Sequence, residues 1–368
     1  MRIIMAIAFA AGSVGATAET FESSAGPIAV EQVAGGLDRP WALAFLPDGR
    51  ILVTERPGRL RIVEDGRVSA PLAGLPEVFA QGQGGLLDVT PARDVAETGT
   101  VFISYAEPAG SGRARTAVAR ARLAEDRLDD VEVIFRQEPA LAGGRHFGSR
   151  IVEAPDGTLF VTLGDRGQRP MAQEPATHVG KLVRIAPDGS APQDNPFHGR
   201  EGHAPELWSI GHRNTQGADL DAEGRLWTVA HGARGGDEIN RPEPGRNYGW
   251  PVISHGRHYS GAPIGEGTEK VGMEQPLHVW DPSIAPSGLT VYDGALFPDW
   301  RGDIFVGALR GAMIVRVDLE RGEPTGAEER LFEFAFGRIR DVVTGPDGAL
   351  WFVTDESPGA LYRVAPAH

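Results

Sequence analysis

The chain has 368 residues and a formal net charge of -14, a length that suits two domains or one large repeat architecture. The acidic balance, with no run of five basic residues, excludes a nucleic-acid binder, whose phosphate ligands need a net basic face. Forty-nine glycines and 28 prolines imply many turns between short strands, and the absence of cysteine excludes disulfides, thiolate catalysis and Cys-ligated zinc.

At the N-terminus, MRIIMAIAFAAGSVGATA reads as a secretory signal. Arg2 supplies the positive end, Ile3 to Ala11 the apolar run, and Ala16-Thr17-Ala18 the small-x-small cleavage site. The apolar run is too short to span a bilayer. Residues 1–18 are therefore assigned to the signal. Residues 19–368 form a single exported domain, soluble in the periplasm or outside the cell. Along that domain a glycine followed by a short apolar strand recurs six times: GRILVTE from Gly49, GTVFISY from Gly99, GTLFVTL from Gly157, GRLWTVA from Gly224, GDIFVGA from Gly302 and GALWFVT from Gly348. Three of these glycines close a Pro-Asp-Gly turn, in which Pro presets the bend and Gly takes the positive φ. The unbroken apolar run after each reads as a strand buried on both faces. The glycines are 50, 58, 67, 78 and 46 residues apart. A propeller blade takes about 40–50 residues, and the excess goes to loops. The expectation is an all-β chain folded as a six-bladed β-propeller, with a sandwich as the alternative. Ala117 to Val133 is the most helix-like stretch, yet its alternation also fits an edge-exposed strand. The gap between Gly224 and Gly302 is rich in Pro and Gly and reads as a long loop insertion.

Polar clusters flank these strands. AQGQGGLLD places Gln83 in a glycine turn before an apolar strand. GRHFGSR places His146 before one repeat, and GDRG places Asp165 just after it. Two strands running there and back bring both to one rim, where a carboxylate on one ring nitrogen leaves the other free as a base. No Gly-x-Ser-x-Gly elbow occurs. SIGHRNTQG carries Arg213 and Asn214, and HGARGGDEIN carries Asp237 and Glu238 among glycines, a hard-oxygen pattern that suits Ca²⁺ without EF-hand spacing. Arg310, Arg338 and Arg340 follow, the last two spaced to face the same way on a strand. Each arginine alone reads as a salt-bridge partner. In a closed propeller, Arg213, Arg310, Arg338 and Arg340 can instead converge on a small polyanion with planar carboxylates.

The ordered set GQGGLLD, GRHFGSR, GDRG, GHRNTQG, DEIN, NYGWP, IAPSG and RIRD…PDG resembles the glucose/sorbosone dehydrogenase family, in its aldose sugar dehydrogenase branch. The resemblance runs from about Val33 to Val364. It implies a six-bladed propeller that binds pyrroloquinoline quinone (PQQ) and Ca²⁺ and oxidises aldoses at C1 to lactones, with hydride passing to the quinone. By motif, His146 corresponds to the base, Asp165 to its orienting carboxylate, and Arg213 to a group that polarises the quinone. Gln83, His146, Arg213, Asn214, Arg310, Arg338 and Arg340 correspond to cofactor-binding positions. The carbonyls of Gly232 and Ala233 correspond to ligands of the cofactor-associated Ca²⁺, and Glu238 with the Tyr248 carbonyl to a second Ca²⁺ site. Three departures stand out. Arg145 replaces the aspartate that precedes the base in glucose-specific members, Arg310 replaces a lysine, and Ala233 replaces a proline. A Ca²⁺-dependent lactonase and a non-enzymatic binding propeller are the competing readings. The electron acceptor is not identified by sequence, and a monomer is expected.

Overall fold

The structure, a computed structural model, describes residues 18–367. The signal segment therefore lies, but for Ala18, outside the described residues. Six antiparallel sheets form six blades of a β-propeller. The innermost strands are Pro40–Phe45, Leu86–Pro91, Gly148–Glu153, Thr215–Leu220, Pro286–Val291 and Ile339–Thr344. Each packs against the innermost strands of the neighbouring blades, so the six ring a central axis. Every glycine-led repeat is the second strand of its blade: Ile51–Glu55, Thr100–Pro108, Leu159–Leu163, Leu226–Ala230, Ile304–Ala308 and Leu350–Thr354. Such a strand has hydrogen-bonded neighbours on both sides and a blade against each face, which is why its sequence is apolar without alternation. The Pro-Asp-Gly turns form as expected. Gly49, Gly157 and Gly348 have φ of 90, 81 and 77°. The preceding aspartates each accept the backbone N–H two residues on, as in Arg50 N to Asp48 Oδ1 at 3.1 Å.

The sixth blade closes the ring. Its three C-terminal strands end in Gly359–Pro366, which pairs with Ile28–Leu37 from the other end of the chain. A hydrophobic cluster fills each of the six blade interfaces. Trp41 and Leu52 of blade 1, for example, meet Ile103 and Tyr105 of blade 2, and Phe305 of blade 5 meets Phe352 of blade 6. The core is thus a ring of separate seams. The helix-like stretch is strand, as its alternation suggested, but most of it is not at an edge. It covers the third strand Arg113–Leu123 and much of the fourth, Leu128–Arg136. Ala117, Ala119 and Ala121 face blade 1 and Val118 faces blade 3, while Arg120 and Arg122 pair with Glu132 and Asp129 on the outer strand.

The long insertion spans residues 241–277, between Asp237–Asn240 and His278–Trp280 of blade 4. It returns along the blade to the far end, where Tyr248 N–H donates to Ile210 O at 2.8 Å and Trp250 N–H to Gly211 O at 2.9 Å. Among the described residues no helix is long and apolar enough to cross a membrane.

The axis is blocked. Arg150 of blade 3 reaches Asp88 of blade 2 at 2.9 Å and Asp341 of blade 6, on the opposite side of the ring, also at 2.9 Å. Room for this comes from Gly288, where an added Cβ would lie 2.0 Å from Asp341 Oδ1. The Trp41 ring covers the guanidinium at 4.6 Å. The plug separates two mouths. One, at the C-terminal ends of the innermost strands, opens into a cavity of 1130 Å³. The polar motifs lie at the other, where the chain enters those strands and where it leaves each second strand.

Candidate active site

His146 lies in the loop that enters the innermost strand of blade 3, and Asp165 just after the second strand of the same blade. The two strands run there and back, so both side chains reach one rim. His146 Nδ1 is 2.6 Å from Asp165 Oδ1. The histidine has φ 54°, a left-handed backbone that costs a non-glycine residue about 1 kcal/mol. Two features hold it there. Its N–H donates to Gln83 Oε1 at 2.7 Å, and its carbonyl sits so close to Gly164 that an added Cβ there would lie 1.9 Å away. The glycines and Gln83 that stood out in sequence thus fix the backbone of the candidate base.

The other ring nitrogen, Nε2, is 3.4 Å from Arg213 Nη2. Burial lowers the His146 pKa, and the charge of Arg213 lowers it further against the opposing pull of Asp165. The imidazole is therefore neutral at neutral pH, as a base must be. Burial acts to raise the Asp165 pKa, but the bonds from His146 and Gly167 N–H and the charge of Arg213 outweigh it, and the net shift is downward. Arg213 Nη1 donates to His231 O at 3.0 Å, which ties the arginine to the glycine-rich turn of blade 4.

Asn214 accepts Gly148 N–H at 3.3 Å and Gln216 Nε2 at 3.4 Å, and Gln216 Oε1 accepts Arg340 Nη1 at 3.0 Å. One network therefore joins blades 3, 4 and 6 around the axis. Arg340 is buried and paired with Asp355 at 2.7 Å. Arg338 is 3.6 Å from the same carboxylate but largely exposed, so the two arginines do face one way. Arg310 stands at the same mouth with an exposed side chain, outside this network.

Three buried nitrogens in the cluster lack partners: the donors Arg213 Nε and Arg340 Nε, and His231 Nε2, whose role depends on the tautomer. Each such group costs about 1–3 kcal/mol unless something satisfies it. Two orphan donors on buried cations fit an acceptor-rich anion, which is the chemistry of a polycarboxylated quinone. The oxygen chemistry of the adjoining turn fits a hard cation. An added Cβ on Gly232 would lie 2.2 Å from the carbonyl oxygens of both Gly235 and Gly236. Asp237, fully buried, holds the turn by accepting Gly232 N–H at 2.9 Å and Ser283 Oγ–H at 2.7 Å. Among the described residues no three His, Cys, Asp or Glu side chains converge on one point, so a cation here would rest largely on backbone oxygen. Burial pushes the Glu238 carboxyl up to about 7, its one side-chain partner is Asn240, and Asn240 Oδ1 is itself buried and unpartnered. Tyr248 is buried, with its hydroxyl donating to Arg241 O at 2.8 Å. No hydrogen bond links Tyr248 to Glu238.

Sequence reasoning missed Trp250. Its indole Nε1–H donates to Asp165 Oδ2 at 2.8 Å, and its ring lies 5.4 Å from the Arg213 guanidinium carbon. It packs with Ala172, Ala233 and Ile264. Trp250 belongs to the NYGWP motif, in which the resemblance points to the Tyr248 carbonyl. His231, Gln216 and Asp355 were missed as well.

The fold and this mouth define a propeller whose buried arginines, histidine and oxygen-rich turn gather on one side of a sealed axis. The profile described as glucose / sorbosone dehydrogenase matches residues 37–363, and the chain belongs to that family of sugar oxidoreductases. The chain is 45% identical to the aldose sugar dehydrogenase YliI of Escherichia coli over 92% of both proteins. It is 26% identical to quinoprotein glucose dehydrogenase B of Acinetobacter calcoaceticus over 90% of this chain and 86% of that one. Among solved structures, the apo form of the soluble E. coli aldose sugar dehydrogenase matches with a TM-score of 0.90 at 44% identity, over 92% of this chain and all of the other. The PQQ-bound aldose sugar dehydrogenase of Streptomyces coelicolor matches with a TM-score of 0.77 at 28% identity, over 92% and 98% of the two chains.

Proposed function

We propose that this protein oxidises aldose sugars at C1 to lactones, using PQQ held by the arginine cluster and Ca²⁺ held by the blade 4 turn. What carries the reading is the pair of buried, unpartnered donors on Arg213 and Arg340 beside a neutral, carboxylate-bound imidazole. Bound PQQ supplies an electrophilic quinone that takes up the two electrons of the reaction.

The chain's own residues then have distinct tasks. His146 Nε2 accepts the proton of the C1 hydroxyl. Asp165 holds the Nδ1–H tautomer and stabilises the imidazolium that forms. Arg338 and Arg340 hold carboxylates of the cofactor and Arg213 polarises its quinone, with Asn214 and the Gln83 carboxamide beside them, and Arg310 adds charge at the rim. The carbonyls of Gly232 and Ala233 hold a cation that supports the developing negative charge. Glu238 and the Tyr248 carbonyl serve a second cation. Since the His146 pKa is lowered, the active neutral form persists below the ordinary imidazole value, and turnover is lost as pH falls through the lowered pKa. The export segment at residues 1–18 places the reaction outside the cytoplasm, and the protein acts as a monomer.

Replacing His146 by Ala tests this reading. Aldose oxidation with PQQ, Ca²⁺ and a dye acceptor should fall by at least about 10²-fold, while PQQ still binds, as seen in its absorbance. Undiminished turnover in that variant would reject His146 as the base.

A further inference from the structure

The electron acceptor is the one reactant that the site residues above leave undefined, and the charge on this mouth bears on it. Six arginines stand on loops of the active-site face with no carboxylate within ion-pair distance among the described residues. They are Arg56, Arg145, Arg169, Arg234, Arg257 and Arg310. Arg145 and Arg169 are close enough to lower the pKa of His146 and Arg213, respectively, and Arg56 to lower that of Arg340. The Arg145 side chain lies over Gly167, whose added Cβ would be 3.3 Å from it. Arg234 and Arg257 exchange backbone hydrogen bonds at 2.9 and 3.0 Å, and Gly261 backs onto Arg234. Arg257 belongs to the part of the insertion that carries Tyr259, and Arg234 to the turn before Asp237–Asn240. The carboxylates of this face are mostly committed. Asp165 serves His146, Asp355 serves Arg340, Asp237 serves the blade 4 turn, and Glu356 accepts Arg338 N–H. Among the described residues, Asp281, Glu174 and Glu269 of the insertion are exposed carboxylates with no ion-pair partner.

The other mouth is mixed, with carboxylates in excess. Its cavity is lined by Glu153, Asp219, Asp221, Glu223 and Asp293, with Arg225 neutralised by Asp221, and also by the exposed Arg93, Arg301 and Arg321. In a chain of net charge -14, unpaired arginines thus gather around the active-site mouth, while carboxylates outnumber arginines around the opposite one. Charge of one sign around a cleft focuses the field into it and raises the arrival rate of the opposite charge by about 10–10³. We infer that the rim takes a small, multiply anionic electron acceptor. This rests on the proposed quinone-dependent oxidation at the same site. Each aldose oxidised releases two electrons and two protons. A one-electron anionic oxidant therefore arrives twice per turnover and leaves reduced, and the protons pass to solvent. An uncharged sugar gains nothing from this field.

The test uses holoenzyme loaded with PQQ and Ca²⁺. Anaerobic mixing with excess aldose and no acceptor reports whether the cofactor is reduced at all. Absence of reduction would reject the proposed function itself. With reduction established, kcat/KM is measured for ferricyanide and for a cationic ferrocenium from about 10 to 300 mM NaCl. Ferricyanide should lose at least about tenfold across that range, as the Debye length falls below 10 Å, while the cation is flat or improves. The Arg234→Gln/Arg257→Gln variant should lose most of the ferricyanide slope, with the rate of sugar-driven reduction within twofold of the parent. Independently of turnover, the ⁵⁹Co line of redox-inert hexacyanocobaltate(III) should broaden with the protein and sharpen with salt or in the double variant. Equal salt slopes for anion and cation, or an unbroadened cobalt line, would overturn the inference and leave the sugar half of the reaction standing.

Discussion

Replacing Trp250 by Phe separates a positioning role from a packing role. Asp165 Oδ1 accepts both His146 Nδ1–H at 2.6 Å and Gly167 N–H at 2.7 Å, while Oδ2 accepts only the indole N–H at 2.8 Å. Phenylalanine keeps an aromatic ring against Arg213 and Ala233 but removes that last donor. A hydrogen bond to a charged group is worth about 1.5–3 kcal/mol. With an unfolding entropy of ~2.1 cal/mol/K per residue over roughly 350 residues, that loss lowers Tm by about 2–4 °C. Turnover responds through the imidazole. A carboxylate with one oxygen free can rotate and becomes a stronger base toward His146. The ring is then less well aimed, and its pKa rises. We expect kcat to fall about tenfold, or ~1.4 kcal/mol, with KM for the sugar changed less. Because His146 must be neutral to accept a proton, its raised pKa moves the acid limb of the kcat–pH profile to higher pH. The assay is a kcat–pH profile of the holoenzyme beside a thermal melt. A lowered Tm with kcat within twofold of the parent and an unmoved acid limb would refute the positioning argument and leave Trp250 a packing residue.

Two further substitutions probe the axis and the blade 4 turn. Burial pushes Asp88 up to about 6, above its unfolded value, so its contribution to stability is full below about pH 4 and is lost as pH rises through 6. Arg150→Met removes the cation that opposes this for both Asp88 and Asp341. Melts should show a deficit of about 3–5 kcal/mol at pH 8, shrinking at pH 5 as the carboxyls protonate; equal deficits at both pH values would contradict the plug. Gly232→Ala drives a methyl to within 2.2 Å of two carbonyl oxygens. The calcium concentration giving half-maximal thermal stabilisation should rise at least about tenfold, which is ~1.4 kcal/mol; an unchanged midpoint would exclude this turn as the cation site.

The propeller was legible because its second strands obey a local rule. A glycine at positive φ leads into a run that must be apolar on both faces, and the rule is repeated for every blade. Ring closure was not legible, since nothing in Ile28–Leu37 alone marks it as the partner of Gly359–Pro366. Nor was the interior place of Arg113–Leu123 plain. Its small alanines fill the seam with blade 1 while its arginines find carboxylates on the next strand, so polar side chains there do not mean an edge.

The site divides in the same way. His146, Asp165, Gln83, Arg213 and Asn214 flank strands that chain order pairs or places side by side, and the structure links them within hydrogen-bond reach. Gln83 shows the limit of the sequence reading, because its carboxamide oxygen is spent on the His146 backbone. Residues that act across the ring left no local trace. Arg150 looks like any polar residue beside a strand until blades 2 and 6 bring Asp88 and Asp341 to it. Trp250 sits in a loop whose glycines and prolines suggested only irregularity. A loop returning from the opposite face must bury something to stay fixed, and here it buries an indole whose one polar atom finds the carboxylate of the candidate base. That long insertion is therefore part of the site's framework, and changes in its length or anchoring should act on catalysis before they act on the propeller.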